Sequence, residues 1–381
     1  MDESGHTKHL RSMDVLKGMI IVIVVCGHVF FTTRSEEGGG GGMPVIVQAL
    51  YLGLMAFFIL SGYFYRPDRG FKKNMLKRLK QIAIPIVICG VSFPLIMYVW
   101  LLINGYDLPF SDYLGAVVFY LGFNNVFTDM SMVEGVTSLS NVAVGIYFLG
   151  AMLWGFLIFY ALADHVMDDK RKVVVTIVGL LIVAMLVKQF VTITLPVNMD
   201  LGPLAAAFMF IGALLAKFNL LENMEYGNKK NVKYWIIPIV CLAAGMVLCF
   251  LLPPDIRFDR RFFGDYGALS IIPFFIEATL MFIPIAYIGF LFSKIPGLSS
   301  LFNILGQHTL AIMLVHALVI KMLVVLFYDV DPLILVPDGI PFWFRIIVIV
   351  AALTVSVFAG IGGTKLLERL KEANKKDSEK S

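Results

Sequence analysis

The sequence predicts an all-α polytopic membrane protein with about ten transmembrane helices. Of its 381 residues, 59% are hydrophobic and 15% are charged, and the mean hydropathy is +0.85. Apolar runs of about 20 residues recur along most of the chain, which is the length that a helix needs to cross about 30 Å of hydrocarbon. These runs lack the strict alternation of polar and apolar residues that is typical of membrane β-strands. The composition therefore excludes a soluble globular protein, and no separate soluble domain is predicted.

Ten apolar segments qualify as transmembrane spans. They are 14–33, 44–65, 82–103, 141–163, 172–190, 202–218, 234–252, 268–292, 306–328 and 342–366. The apolar stretch 110–123 is too short to cross a bilayer easily, so it is predicted to lie in the interface or to re-enter the membrane. The first span is not followed by a cleavage site and is predicted to be retained. Residues 1–366 are thus predicted to form one membrane domain, followed by a disordered cytoplasmic tail at 367–381.

Basic residues are distributed unevenly between alternate connections. When both termini are assigned to one side, 24 of the 31 lysines and arginines fall on that side. The densest group lies between the second and third spans and consists of Arg66, Arg69, Lys72, Lys73, Lys77, Arg78 and Lys80. The positive-inside rule therefore predicts a multi-pass protein of the cell membrane whose two termini are both cytoplasmic.

The sequence offers little support for a metal, a disulfide framework or a soluble-enzyme site. Its four cysteines are Cys26, Cys89, Cys241 and Cys249, all within predicted spans, where packing is their usual role. No motif of a serine hydrolase, zinc protease or nucleotide-binding loop is present. The five glycines at 38–42 have no preceding strand and predict a flexible outer turn. Neither a bound cofactor nor a nucleic acid partner is predicted.

Ionisable side chains inside the predicted spans are costly in a bilayer and are therefore candidates for function. In the first span, intervals of four and three residues place five positions on one helix face: Asp14, Gly18, Ile21, Val25 and His28. His28 is thus predicted to face the interior of the protein. It lies about 21 Å along the helix axis from Asp14, which excludes direct contact between the two.

Four candidates from later spans are Glu277, His308, His316 and Lys321. A structural role is an alternative for most of them. His308 and Lys321 fit interhelical hydrogen bonds, and Glu277 fits a pair with a basic residue. Asp14 likewise fits a helix cap or a partner for a nearby arginine. A functional role is favoured for His316 because it lies deeper in the membrane than His308. Two further polar residues, Asn198 and Asp200, stand at the outer mouth of the sixth span.

Three segments carry a resemblance to a known family. Residues 11–28, RSMDVLKGMIIVIVVCGH, contain an arginine, the pattern D-x-L-K-G and a histidine ten residues after that glycine. Residues 56–65, AFFILSGYFY, contain F-F-x-L-S-G-Y, and residues 77–85, KRLKQIAIP, follow a basic run. In these motifs the chain resembles the membrane-bound acyltransferase 3 family, and within it the sugar O-acetyltransferases similar to fucose 4-O-acetylase. The segments 141–160, 195–217 and 305–316 resemble later parts of the family, so the resemblance spans nearly the whole chain.

Two positions depart from the family pattern. Gln81 stands where many members have a second basic residue, for which Lys77 and Lys80 are the nearest substitutes. Tyr147 stands where tryptophan is common. The basic segment thus differs from the family pattern at one position, whereas the segment that ends at His28 matches it.

The resemblance implies a membrane-bound O-acetyltransferase. Its donor would be cytoplasmic acetyl-CoA, and its acceptor would be a hydroxyl of an envelope polysaccharide, glycolipid or sugar precursor. His28 would act as general base on that hydroxyl or as a transient acyl carrier. Asp14 belongs to the same catalytic segment.

The resemblance and the basic charges also suggest roles for other residues. The CoA phosphates would be held by Arg11, Lys17, Arg66, Arg69, Lys77 and Arg78. Ser61 and Tyr63 would donate hydrogen bonds to the developing oxyanion, with helix packing through Ser61 and its neighbouring glycine as the alternative. Glu277 and His316 are assigned to the substrate side of the site.

Alternatives stay open at this point. A transporter or exporter of a glycan or small molecule would use intramembrane His, Glu and Lys side chains as a proton or substrate pathway. Such a protein often contains two related halves, which the sequence does not show. The acyl group would also be compatible with succinyl or a longer chain. The acceptor and the oligomeric state are not specified by the sequence.

Overall fold

The computed structural model of the chain describes residues 11–32, 52–122, 139, 146–191, 195–226, 233–251, 267–328 and 340–378. Within these ranges the regular elements are helices and there is no β-strand, so the predicted all-α membrane class is confirmed. Eight of the described helices are long and apolar enough to cross a membrane. The start of the second predicted span and the glycine run at 38–42 lie outside the described residues. The predicted orientation of the termini stays a prediction.

The described part of the chain contains fourteen α-helices. In order they are α1 (Arg11–Thr32), α2 (Ala56–Tyr63), α3 (Gly70–Arg78), α4 (Ile84–Ile103), α5 (Phe110–Gly122), α6 (Ile146–Val166), α7 (Lys170–Phe190), α8 (Gly202–Lys217), α9 (Leu220–Tyr226), α10 (Lys233–Leu251), α11 (Ile271–Phe292), α12 (Pro296–Gln307), α13 (Thr309–Tyr328) and α14 (Phe342–Ser378). Short 3-10 segments precede α2, α3, α8 and α11, and one π-helical turn joins α3 to α4.

The structure forms helices in two segments that were not predicted to be transmembrane spans: the apolar stretch 110–123 and the C-terminal tail. The apolar stretch predicted to be interfacial or re-entrant forms the 13-residue helix α5. Helix α14 has 37 residues and ends at Ser378, so it includes most of the tail for which the composition predicts disorder. Residues 365–372, KLLERLKE, are all strong helix formers, which accounts for this continuation.

The chain divides into two compact units, of which the first contains Met1–Glu37 and Phe292–Ser381. In this unit α1 packs mainly against α12 and also contacts α13 and α14. The crossing of α1 and α12 is close because each helix contributes a glycine. A Cβ atom at Gly18 would collide with the carbonyl oxygen of Phe302, and one at Gly306 would collide with that of Asp14. Close backbone approach through small residues is typical of membrane helix pairs.

The second unit contains Gly38–Leu291 and is built around α8. Helix α8 packs against α2, α6 and α7, and its first nine residues are all buried. Its crossing with α2 repeats the reciprocal glycine arrangement. A Cβ atom at Gly62 would collide with the carbonyl oxygen of Met209, and one at Gly212 would collide with that of Ile59.

Other helices present apolar side chains at the surface of their units. Large hydrophobic residues of α7, α10 and α14 are more than two thirds exposed, including Val175, Phe190, Phe250 and Phe358. In water such surfaces would be an aggregation hazard, whereas in a bilayer they contact lipid. By contrast, α1 and α8 are among the helices that bury most of their side chains inside their units.

Candidate active site

Helix α1 places His28 beside His316 of α13, 288 residues later in the chain. His28 Nδ1 and His316 Nε2 are 2.6 Å apart. The two ring centroids are 4.8 Å apart and the ring planes differ by 15°. His316 is fully buried and His28 is half-buried. The prediction that His28 faces the protein interior is confirmed, and its partner comes from another helix of the first unit.

The hydrogen bonds of His316 determine where the protons of this pair lie. His316 Nδ1 is 2.6 Å from the carbonyl oxygen of Ile312. A carbonyl oxygen only accepts hydrogen bonds, so this Nδ1 carries a proton. In a neutral imidazole the second nitrogen is then an acceptor, and His28 Nδ1 must donate to it. The lone pair of neutral His28 is therefore on Nε2.

This arrangement is that of a base oriented by a second group, which is in turn oriented by a third. His316 fixes both the tautomer and the ring direction of His28. When His28 Nε2 accepts a proton, its Nδ1–H still donates to His316, so the hydrogen bond is kept through the proton transfer. The chemistry that the pair can perform is proton abstraction or nucleophilic attack by His28 Nε2.

The N-terminal end of α1 contains a separate ion pair. Lys17 Nζ is 3.0 Å from Asp14 Oδ1, and the Asp14 carboxylate is buried. An acidic residue in the first turn also interacts favourably with the positive end of the helix dipole. Asp14 thus pairs with Lys17, and the nearby arginine that the sequence suggested as its partner stays a prediction. Arg11 begins α1, but its side chain lies outside the described part of the structure.

Two further ionisable residues of the first unit occupy different positions. His308 follows α12 directly and its ring lies next to Gly360 of α14, where a Cβ atom would be 3.0 Å from His308 Nδ1. Lys321 is buried in α13, five residues beyond His316. Among the residues that the structure describes, no group of three His, Cys, Asp or Glu side chains is arranged to hold a metal ion.

In the second unit, four residues that were predicted to hold the CoA phosphates lie close to one another. Arg66 and Arg69 precede α3, and Lys77 and Arg78 end it. The positive charges of all three arginines act on the Lys77 ammonium. Four cations grouped in this way form a favourable site for a phosphate-bearing anion. Among the described residues, the structure therefore brings these four predicted donor residues together.

The Arg78 side chain of this cluster is held by three contacts. Its Nε donates to Tyr160 Oη at 3.2 Å, and its Nη1 donates to Gln81 Oε1 at 3.2 Å. The guanidinium carbon lies 4.4 Å from the ring centroid of Phe156, a cation–π contact. Gln81, the position that departs from the family pattern, thus supports Arg78 from one helical turn away.

The hydroxyl groups of Ser61 and Tyr63 donate within the second unit. Ser61 Oγ donates to the carbonyl oxygen of Phe57 at 2.7 Å. Tyr63 Oη donates to the carboxylate of Glu222 and accepts from the backbone N–H of Leu221. Because each hydroxyl has one proton, neither donates to an oxyanion in this arrangement. These bonds fit the packing alternative, and Tyr63 joins the end of α2 to α9.

Glu277 is buried in α11. Its carboxylate accepts a hydrogen bond from the thiol of Cys249 on α10. The sequence had suggested a basic residue as the partner of Glu277 if its role is structural. The pair connects two neighbouring helices of the second unit. A substrate-side role for Glu277 stays a prediction.

The segment Pro196–Leu201 contains a second group of buried polar side-chain atoms, which the sequence predicted only in part. In the 3-10 segment Pro196–Leu201, Val197 and Asn198 have left-handed backbone angles, with φ of 52° and 55°. Asn198 is 1% exposed. Within the described part of the chain, neither polar atom of its side chain has a hydrogen-bond partner, and the same is true of Trp154 Nε1 on α6. A buried polar group without a partner costs about 1–3 kcal/mol. The sequence placed Asn198 at a membrane boundary, but it could not show this burial.

Comparison with protein families supplies independent evidence. A family model described as "Acyltransferase domain" matches residues 10–361. The matched region includes the His28–His316 pair, the basic cluster around α3 and the Asn198 segment. No curated protein and no solved structure matches the chain.

Proposed function

Because the chain belongs to the acyltransferase 3 family and is a membrane acyltransferase, we propose that it moves an acetyl group from cytoplasmic acetyl-CoA to a hydroxyl of an envelope polysaccharide, glycolipid or sugar precursor. The observation that carries this proposal is the hydrogen bond between His28 and His316. It gives α1 a histidine whose Nε2 is oriented to act on an acceptor hydroxyl. The family match favours group transfer over the transport alternative.

The proposed step is acyl transfer with His28 as base. His28 Nε2 takes the proton of the acceptor hydroxyl as the hydroxyl oxygen attacks the thioester carbonyl carbon. The new C–O bond forms and the C–S bond breaks. The leaving CoA thiolate then takes the proton from the His28 imidazolium, which returns the pair to its neutral state.

The same geometry supports His28 as a transient acyl carrier. In that sequence Nε2 attacks the thioester carbonyl carbon, the C–S bond breaks, and CoA leaves as a thiolate that takes a proton from water. The oxygen of the acceptor hydroxyl then attacks the acetyl-imidazolium, the new C–O bond forms as the C–N bond breaks, and the hydroxyl proton passes to His28 Nε2 and from there to solvent. In both sequences His316 accepts from His28 Nδ1 and acts as a positioning residue.

The basic cluster of Arg66, Arg69, Lys77 and Arg78 supplies the proposed phosphate-binding site for acetyl-CoA. Arginine forms bidentate, charge-assisted hydrogen bonds with phosphate oxygens, and lysine contributes a mobile positive charge. The positive-inside rule assigns this connection to the cytoplasmic side, where acetyl-CoA is available. Arg11 and Lys17 are proposed as further phosphate ligands from α1.

Substitution of His28 tests the proposal. We expect His28→Gln to lower acetyl transfer in nanodiscs at least about 100-fold, because a general base contributes about 10²–10⁴ to the rate. The dissociation constant for acetyl-CoA should change less than about twofold, since the phosphates bind elsewhere. Radiolabelled acetyl-CoA and purified envelope glycan provide the assay, and His308→Gln is the matched histidine control. A wild-type rate in His28→Gln would exclude both roles of this residue.

The amount of CoA released without acceptor distinguishes the two roles. A carrier should release about one CoA per protein on first contact with acetyl-CoA, because the acetyl group passes to the imidazole. An active preparation that releases no CoA until acceptor is added would assign the residue as a base.

A further inference from the structure

We propose that Asn198, together with Trp154, forms a binding site for an uncharged sugar ring, which we call the Asn198 site. The identification of this sugar with the acceptor rests on the proposed function. The presence of the site does not, because it follows from residues of the second unit alone.

Two close contacts at glycines place the segment Pro196–Leu201 along α6. A Cβ atom at Gly150 would meet the carbonyl oxygen of Val197, and one at Gly202 would lie 2.8 Å from Trp154 Cβ. Gly150 and Trp154 are one helical turn apart on α6. Asn198 lies between Val197 and Gly202 in the sequence. Its backbone is therefore next to the turn of α6 from Gly150 to Trp154.

The polar atoms of this site match the hydrogen-bonding chemistry of a sugar. Asn198 offers one donor group and one acceptor, and Trp154 offers a donor. Within the described residues, none of these atoms has a hydrogen-bond partner in the protein. A sugar hydroxyl both donates and accepts, so an amide side chain complements two neighbouring hydroxyls. An indole ring can also stack its apolar face on the C–H groups of a sugar ring.

The charges of α6 and of the segment itself disfavour a phosphate or carboxylate as the ligand. Neither α6 nor the segment from residue 195 to residue 216 contains a lysine or arginine. Lys188 is in the last turn of α7, which also contacts the segment Pro196–Leu201, and the carboxylate of Asp200 is buried in that segment. An anion would therefore find no counter-charge on α6 or on the segment, and it would lie close to the Asp200 carboxylate. An uncharged, hydroxyl-rich ligand needs no counter-charge.

The backbone supports a binding role for this segment. A β-branched residue in the left-handed region, such as Val197, is a genuine conformational outlier. Such strain is concentrated at ligand sites, where it holds side chains in place. The charge distribution also assigns the connection between α7 and α8 to the outer side of the membrane, which is the side from which an envelope glycan approaches.

Sugar binding without donor tests the site directly. The full-length protein in nanodiscs is titrated with the methyl glycosides of glucose, galactose, mannose, fucose and N-acetylglucosamine, and the unfolding temperature is recorded. We expect one or more of these sugars to raise the Tm of the wild-type protein and of His28→Gln. Asn198→Gly removes the side-chain amide, and glycine accepts the left-handed conformation. This variant should raise the Kd for the sugar about tenfold. Trp154→Phe keeps an aromatic ring but loses the indole N–H, and it should raise the Kd about fivefold.

Met199→Ala is the control, because Met199 lies in the same segment with an exposed side chain, and it should bind as the wild type does. If Asn198→Gly is not monodisperse, Asn198→Asp, which keeps the size and loses the donor, replaces it. An unchanged Kd in the Asn198 variant, or no Tm shift with any of the five sugars, overturns the proposal.

Transfer assays separate this inference from the proposed function. When the bound sugar is the acceptor, Asn198→Gly should raise the KM for the sugar about tenfold, as it does the Kd. The KM for acetyl-CoA should stay within about twofold of the wild-type value. Wild-type transfer with an unchanged sugar KM in Asn198→Gly contradicts the Asn198 site and leaves the transferase intact. Sugar binding that is lost in Asn198→Gly, without any transfer by the wild type, contradicts the transferase and leaves the site intact.

Discussion

Ile312 accepts a hydrogen bond from His316, and His316 in turn accepts one from His28. In many hydrolases the outermost group of such a series is a carboxylate. An ionised carboxylate is costly at this depth in a membrane, whereas a helix carbonyl is already present and uncharged. A carbonyl oxygen has two lone pairs, so the Ile312 oxygen can accept from His316 in addition to its hydrogen bond within the helix. The series therefore orients a base without adding a charge to the hydrocarbon region.

Substitution of His316 should separate positioning from chemistry. We expect His316→Leu to lower kcat for acetyl transfer about 100-fold, because it removes the acceptor that fixes the His28 tautomer. His316→Gln keeps an acceptor oxygen and should lose about tenfold. The KM for acetyl-CoA should stay within about twofold in both variants. Equal losses in the two variants, or a rise in KM without a fall in kcat, would contradict the positioning role.

Arg78 offers a test of the donor site with a truncated donor. Arg78→Ala should raise the KM for acetyl-CoA about tenfold, the effect of losing one charge-assisted hydrogen bond. If Arg78 binds the 3′-phosphate, the variant and the wild type should have similar KM values for 3′-dephospho-acetyl-CoA. Lys72→Ala, at an exposed position of the same helix, is the matched control. An equal increase in KM for both donors would place the Arg78 contact on another part of CoA.

The sequence could predict some of these residues and not others, for physical reasons. The inward direction of His28 follows from helical spacing, which is local information. Its partner does not, because His28 and His316 are brought together by tertiary packing across 288 positions. The same limit applies to Tyr63, whose acceptor, Glu222, lies 159 residues away. Asn198 was placed at a membrane boundary, but its burial depends on how α6 packs.

Helices α1 and α8 cross their neighbours at glycine pairs. A side chain at such a glycine would contact backbone, which cannot rotate away as a side chain can. The positions of the glycines are visible in the sequence, but the close contacts are not, because each requires a partner carbonyl from a distant segment. Helix positions themselves were predictable, since length and apolarity decide which segments span a bilayer.

Alanine at the α2–α8 crossing should destabilise the protein. We expect Gly62→Ala and Gly212→Ala each to lower the free energy of unfolding by about 1–3 kcal/mol, the cost of overpacking. Gly179→Ala is the matched control because a Cβ atom there meets no other atom within 4 Å. It should be neutral or stabilise by up to about 1 kcal/mol, as alanine favours helix. Unfolding in mixed detergent micelles measures all three, and a neutral Gly62→Ala would contradict the close crossing.

For the molecule as a whole, the apolar composition predicts the fold class, and the distribution of charge predicts which side of the membrane each connection lies on. The all-α membrane class follows from apolar runs of the right length, and it is confirmed in both units. Sidedness follows from the distribution of lysine and arginine, and it decides whether the basic cluster around α3 meets cytoplasmic acetyl-CoA and whether the Asn198 site meets an outer glycan. Both proposed binding sites therefore depend on a topology that can be measured without any ligand.

Cysteine accessibility tests this topology. In a variant whose four native cysteines are replaced by alanine, single cysteines are introduced by Ser4→Cys, Gly40→Cys, Asn228→Cys and Ser381→Cys. A membrane-impermeant maleimide should label Gly40→Cys in intact cells, because the first connection is predicted to lie outside. The other three should be labelled only after permeabilisation, since 24 of the 31 basic residues place their segments inside. Labelling of Ser4→Cys or Ser381→Cys in intact cells would reverse the assignment of the donor and acceptor sides.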